Sequence, residues 1–130
     1  MQRVMLKDTY PVFTAEIAKS ESSCQDVDQV IEALKRRIEA DASIRFIGLF
    51  DHMQHTRAIG GEIAPEIRDA KEIVFCFGKQ LPNPVMLAVR PRAIGVADLG
   101  ERFVVSFMEA PVPAANDAMT SWVEGLRDKA

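Results

Sequence analysis

The chain has 130 residues, enough for one domain around one core and too few to divide into two. Hydrophobic residues make up 48% and charged residues 27%, which excludes a disordered composition. Sixteen basic and nineteen acidic side chains leave a formal charge of -3 with neither sign gathered into a run, which argues against partners such as nucleic acid or an anionic membrane.

The opening Met1 to Asp8 lacks the apolar centre of a signal peptide, and no later run approaches the ~18 apolar residues of a membrane span, so a cytoplasmic protein is expected. Val12, Phe13, Ala15 and Ile17 stand among polar neighbours in Pro11 to Lys19 and predict a first, half-buried strand. Ser23 and Asp26 make a capping-box pattern ahead of a stripe at Val27, Val30, Ile31, Leu34 and Ile38, which predicts one long amphipathic helix. Cys24 extends that stripe. Cys24 and Cys76 both sit in apolar patterns, as reduced core cysteines do, so no disulfide is expected.

Ile44 to Phe50 and Ile73 to Phe77 read as interior strands. Between them, Asp51 to Glu72 is polar and carries Gly60-Gly61 and Pro65, which predicts a loop with at most short helical turns. Val85 to Val89 suits one helical turn. Ala93 to Leu99 and Arg102 to Met108, separated by Gly100-Glu101, predict a tight antiparallel hairpin. Pro111-Val112-Pro113 reads as a linker, after which Asn116 caps a last helix carrying Met119, Trp122, Val123 and Leu126. The order gives an α+β fold: a mainly antiparallel sheet of about four to five strands, with one long helix and a C-terminal helix packed on it.

The run Phe50-Asp51-His52, then Arg57-Ala58, Ala64-Pro65, Ile73 to Gly78, Pro84-Val85-Met86 and Val105 to Pro111 resembles the bacterial and archaeal family called domain of unknown function 302. The similarity covers about residues 30 to 111 of a single domain spanning 1–130, leaving 112–130 as a C-terminal helical extension. The resemblance implies an antiparallel sheet with helices packed on it and a homodimer. It supplies no activity, cofactor or catalytic residue. The chain departs from that pattern by Lys79-Gln80-Leu81 inserted after Phe77-Gly78 and by a shorter hairpin at Gly95 to Phe103.

Three chemistries compete for the polar residues. His52-x-x-His55 with Asp51 offers two imidazoles and a carboxylate to a metal, yet zinc and similar ions take three or four ligands and no local Cys or Glu completes the set. Asp51 orienting His52 would make an acid-base pair, with Cys76 or Ser106 as conceivable nucleophiles. The blander alternative is that Asp51 caps the turn after its strand while His52 packs beside it, which is the commoner fate of Asp at a strand exit. Arg57, Lys79, Arg90 and Arg92 are candidates to line a pocket for a small anion, with Pro91 stiffening the last two. Gly60-Gly61 is not a phosphate loop. With no complete catalytic set, the expected function is a homodimeric small-ligand-binding or protein-interaction module without a cofactor. Its ligand-binding candidates are Asp51, His52, His55, Arg57, Lys79, Arg90 and Arg92. The alternatives are a small enzyme built on Asp51 and His52, or a weak metal site at His52 and His55.

Overall fold

The computed structural model describes residues 1–129. A strand β1 (Gln2–Leu6) turns into β2 (Tyr10–Ala18), and a single 3-10 turn, Lys19–Glu21, leads to helix α1 (Val27–Glu39). Strand β3 (Ile44–Phe50), helix α2 (His52–Ala58) and strand β4 (Asp69–Phe77) follow. After a 3-10 segment, Pro84–Val89, come the hairpin β5 (Arg92–Asp98) and β6 (Arg102–Met108) and helix α3 (Pro113–Glu124). The strands form one sheet in the order β1-β2-β6-β5-β4-β3 with every neighbouring pair antiparallel. No helix of the described residues is long and apolar enough to cross a membrane.

The α+β class and the antiparallel sheet follow the sequence reading; the strand count does not. There are six strands rather than four or five, because Gln2–Leu6 pairs with β2. All five of its residues are exposed, so no buried alternation marks it in the sequence. Its hairpin turns through Lys7 and Asp8 at φ 52 and 58, left-handed positions that a glycine would have advertised. Three local readings also need correction. The segment Asp51 to Glu72 contains a seven-residue helix, and β4 begins at Asp69 rather than Ile73. Asp26 alone caps α1, its side chain accepting from Gln29 N, while the Ser23 hydroxyl donates to Asp128. Asn116 lies inside α3, whose first residue is Pro113.

One face of the sheet carries the core. Period-two alternation turns Ile73 and Phe75, Ile94 and Val96, and Phe103, Val105 and Phe107 toward the helices. The α1 stripe Val27, Val30, Ile31, Leu34 and Ile38 is buried against them, each side chain contributing about 1.5–3 kcal/mol. Helix α3 closes the same core through Met119, Val123 and Trp122, whose ring stacks on Phe77 at 5.8 Å. Asp98 also points inward, and its carboxylate is met by Lys19 Nζ at 3.0 Å and by Gly100 N–H at 2.8 Å.

The opposite face is different. Its cross-strand rows run Thr14, Ser106, Gly95, Glu72, Phe50 and, beside it, Glu16, Val104, Ala97, Ala70. Small side chains, Thr14, Ser106, Gly95, Ala97 and Ala70, alternate there with Glu16, Glu72, Val104 and Phe50. Helix α2 sits at one margin, through His52 and the buried Met53, and the 3-10 segment sits at another through Ala88 and Val89. The middle is left half-buried, with Phe50 38% and Met108 52% exposed at its borders.

Candidate functional site

Residues singled out in the sequence divide between two places. The first is α2. Asp51 is its N-cap, and the carboxylate accepts from Gln54 N at 3.0 Å, which satisfies one of the helix's orphan donors. His52 is exposed, and its Nδ1 lies 3.0 Å from Thr56 Oγ1 one turn later. The adjacency in sequence therefore makes no Asp-His pair; the carboxylate serves the backbone and the imidazole serves a threonine. His52 and His55 stand edge-on with ring centroids 5.9 Å apart, each also against the Phe50 ring. No group of three or more metal-ligating side chains occurs among the described residues. Arg57 is exposed on the last turn.

Of the conceivable nucleophiles, Ser106 also lines a wider hollow of about 530 Å³ that neither histidine reaches, and it shares with His52 and Glu72 a hollow on the open face of about 160 Å³. That is small beside the roughly 300–1,000 Å³ of ordinary small-molecule sites. Cys76 is half-buried away from it, its Sγ 3.6 Å from Phe77 O.

The second place lies at the other end of the sheet. Arg92 is the first residue of β5 and pairs with Phe75, which starts its half-buried side chain from the helix face. There it lines a cavity of about 510 Å³ together with Arg90, between the end of β4, the 3-10 segment and the start of α3. The walls are apolar: Phe77 from β4, Met86 and Val89 from the 3-10 segment, and Ala114, Ala115 and Ala118 from α3.

The guanidinium of Arg92 is held rather than satisfied. Nη1 donates to Val89 O at 3.4 Å and Nη2 to Met108 O, while Nε is enclosed and has no partner. Five N–H groups with two in use leave three unassigned. Partial burial lowers its pKa from the ordinary arginine value. Arg90 donates through Nη1 to Gln80 O, and its other terminal nitrogen lies 3.4 Å from where a Cβ on Gly78 would stand. Gly78 has φ +80, so its backbone favours glycine there. Among the described residues neither arginine has an ion-pair partner.

The cavity rim carries one acid, Asp41. Its carboxyl is held below the ordinary value first by the Ser43 hydroxyl and then by Ser43 N–H, with a further contribution from the exposed Lys79. Lys79 is thus at the rim rather than inside. Asn116 builds the wall from behind: its Oδ1 accepts from Ala110 N at 2.7 Å and its Nδ2 donates to Ala110 O at 3.0 Å, tying the chain after β6 to the first turns of α3.

Sequence reasoning found both arginines but missed what surrounds them. The available signal was Ala114, Ala115 and Ala118, a face of α3 without bulk directly after Pro113. Only the fold brings it opposite Phe77 and Met86.

No curated protein and no solved structure matches the chain. An uncharacterised family is what the sequence resemblance implies, and such a family does match, although it is not domain of unknown function 302 and extends well beyond residues 30 to 111. With its family model matching residues 1–128, the chain belongs to a family of unknown function, DUF6858.

Proposed function

We propose that the protein is a small-ligand-binding module of the cytoplasm, without catalysis, and that its ligand site is the cavity over Arg90 and Arg92. The observation that carries this reading is Arg92 itself: a half-buried guanidinium whose enclosed Nε has no partner, whose terminal nitrogens have unused donors and which has no ion-pair partner among the described residues, in a largely apolar cavity of about 510 Å³. An enclosed N–H left without an acceptor costs about 1–3 kcal/mol, a cost that a bound anion would offset. The enzyme alternative has less support, since Asp51 is engaged as a cap and the hollow beside His52 is small. A thermal-shift screen of the purified protein against a broad panel of small metabolites tests the reading. A concentration-dependent rise in melting temperature that disappears in Arg92→Gln supports it; no shift by any compound overturns it.

A homodimer meeting through the open sheet face is the accompanying proposal. It is supported by the half-buried row Val104, Ala97 and Ala70 beside exposed Met108 and Phe50, apolar surface of the kind that oligomers cover. Light scattering on the native chain should give twice the monomer mass, and Val104→Glu should halve it. A native monomer at micromolar concentration removes this part.

A further inference from the structure

Resting on the cavity as the ligand site, we infer that its ligand is an amphipathic monocarboxylate, a single carboxylate on an apolar body such as a medium-length acyl chain or an aromatic ring. Three features of the cavity define that class, and each excludes a neighbouring one.

The first is charge. Among the residues that line the cavity Arg90 and Arg92 contribute two positive charges and Asp41 one negative, a net of +1, with the exposed Lys79 outside the lining. One anionic charge balances it. A dicarboxylate or a phosphate dianion would overshoot, and its second charge would have to lie against apolar wall or close to Asp41. The second is donor geometry. A guanidinium offers a planar fork that matches two carboxylate oxygens, and Arg92 has N–H groups left on its terminal nitrogens for that purpose. The start of α3 adds to the attraction. Val112 provides no side-chain cap, and the helix presents its positive end where Ala114 and Ala115 line the cavity.

The third is the wall. Phe77, Met86, Val89, Ala114 and Ala118 present rings, a thioether and methyls, with no side-chain hydrogen-bond donor among them, and the Ser43 hydroxyl that also lines the cavity is spent on Asp41. A sugar or an amino acid would leave its own polar groups unpaired there, whereas an alkyl or aryl body loses nothing. The volume of about 510 Å³ falls within the ordinary small-molecule range, so the body can be several carbons long. Acetate satisfies the charge but leaves the wall uncovered.

Isothermal titration calorimetry with octanoate, octan-1-ol, acetate and suberate tests the inference on the full chain. Octanoate should bind with one site per chain, and acetate, octan-1-ol and suberate should each bind at least tenfold more weakly. Arg92→Gln should weaken octanoate at least tenfold while leaving octan-1-ol unchanged. Because Arg92 also bonds Val89 O and Met108 O, a second variant guards against misfolding: Ala114→Trp, at an exposed wall position, should abolish octanoate binding with both arginines intact.

The outcomes separate the two levels of argument. If octan-1-ol binds as well as octanoate and Arg92→Gln changes neither, the carboxylate class is wrong while the small-ligand reading stands. If suberate binds best, the charge count is wrong, again leaving that reading. If octanoate binds unaltered in Ala114→Trp, its site is elsewhere and the inference fails. If neither these probes nor the metabolite panel binds, both fall together.

Discussion

Replacing Asn116 by Ala should cost more stability than its single side chain suggests. Asn116 is 8% exposed and Ala110 7%, and the amide satisfies both the N–H and the C=O of Ala110. Truncation therefore orphans a buried donor and a buried acceptor at once, at about 1–3 kcal/mol each. Ala110 also borders the cavity, so water can reach part of what the amide vacates. That places the loss in the lower half of the range, about 2–4 kcal/mol. With a urea m-value of about 1.5 kcal/mol/M, the midpoint should fall by roughly 1–3 M at unchanged slope. Equilibrium urea unfolding followed by Trp122 fluorescence measures it. Asn116→Asp sharpens the test. It keeps an acceptor for the Ala110 N–H but sets a carboxylate oxygen against the Ala110 carbonyl, which raises the folded-state pKa of the new group above its unfolded value. A raised folded pKa favours the native state below the unfolded pKa, and that benefit is lost as pH rises through the folded value. The Asp variant should thus approach the wild type near pH 4 and fall away toward pH 7. A midpoint for Asn116→Ala within about 0.3 M of wild type, or an Asp variant without that pH trend, would show that Ala110 finds other partners and that the clamp is not structural.

Other substitutions separate roles that the sequence leaves joined. Asp51→Ala removes an N-cap and should cost about 1 kcal/mol, whereas His52→Gln, at an exposed position, should stay within about 0.5 kcal/mol; the reverse order in thermal unfolding would return the pair to catalytic candidacy. Gly100→Ala should cost about 1 kcal/mol or more, because φ is +99 and the new Cβ would stand 2.9 Å from Arg68 Cζ. A neutral result in urea would mean that Arg68 and the turn yield freely. Acid should destabilise the fold through four carboxyls held below their ordinary values: Asp41 by the Ser43 hydroxyl, Glu109 by Arg3, Glu124 by the N-terminal ammonium and Asp128 by the Ser23 hydroxyl. A depressed folded pKa contributes stability above the unfolded pKa, and that stability is lost as pH falls through the folded one. Unfolding free energy should therefore hold from neutrality and decline as pH drops from the ordinary carboxyl values of 4.5 and 3.8 downward. A decline complete by pH 5 would assign acid sensitivity to other groups.

What the sequence disclosed, and what it withheld, follows one rule: periodic burial is legible and pairing is not. The α1 stripe and the β5–β6 hairpin could be read because their apolar spacing is local. The first strand could not, since Gln2–Leu6 is exposed throughout and exists only through its partner. Asp51 followed the same logic from the other side. Its capping role was the plainer alternative in the sequence, and the Gln54 N–H supports it, while adjacency to His52 supplied a suggestion of catalysis that the side chains do not take up. Arg90 and Arg92 stood out as candidates, but their value depends on α3 delivering alanines from more than twenty residues later. Asn116 is the instructive miss. Its residue type favours helix caps, yet it sits inside α3 and completes the hydrogen bonds of Ala110 just past β6, a neighbour that the sequence does not show.

The outermost strands carry a consequence for solubility. A sheet of order β1-β2-β6-β5-β4-β3 ends in two unpaired backbones, and flat apolar edges of that kind add further chains without limit. Strand β3 reads Ile-Arg-Phe-Ile-Gly-Leu-Phe, a segment with strong amyloid character were it straight. It is not straight: the register slips between Phe46 and Gly48, so that Ile47 bulges from the ladder, and Arg45 places a charge just before the bend. At the other edge β1 is only five residues long and bears Arg3, paired with Glu109. A bulge with a charge beside it and a short charged strand thus act as stoppers, keeping a chain with 48% hydrophobic residues from polymerising through its own sheet.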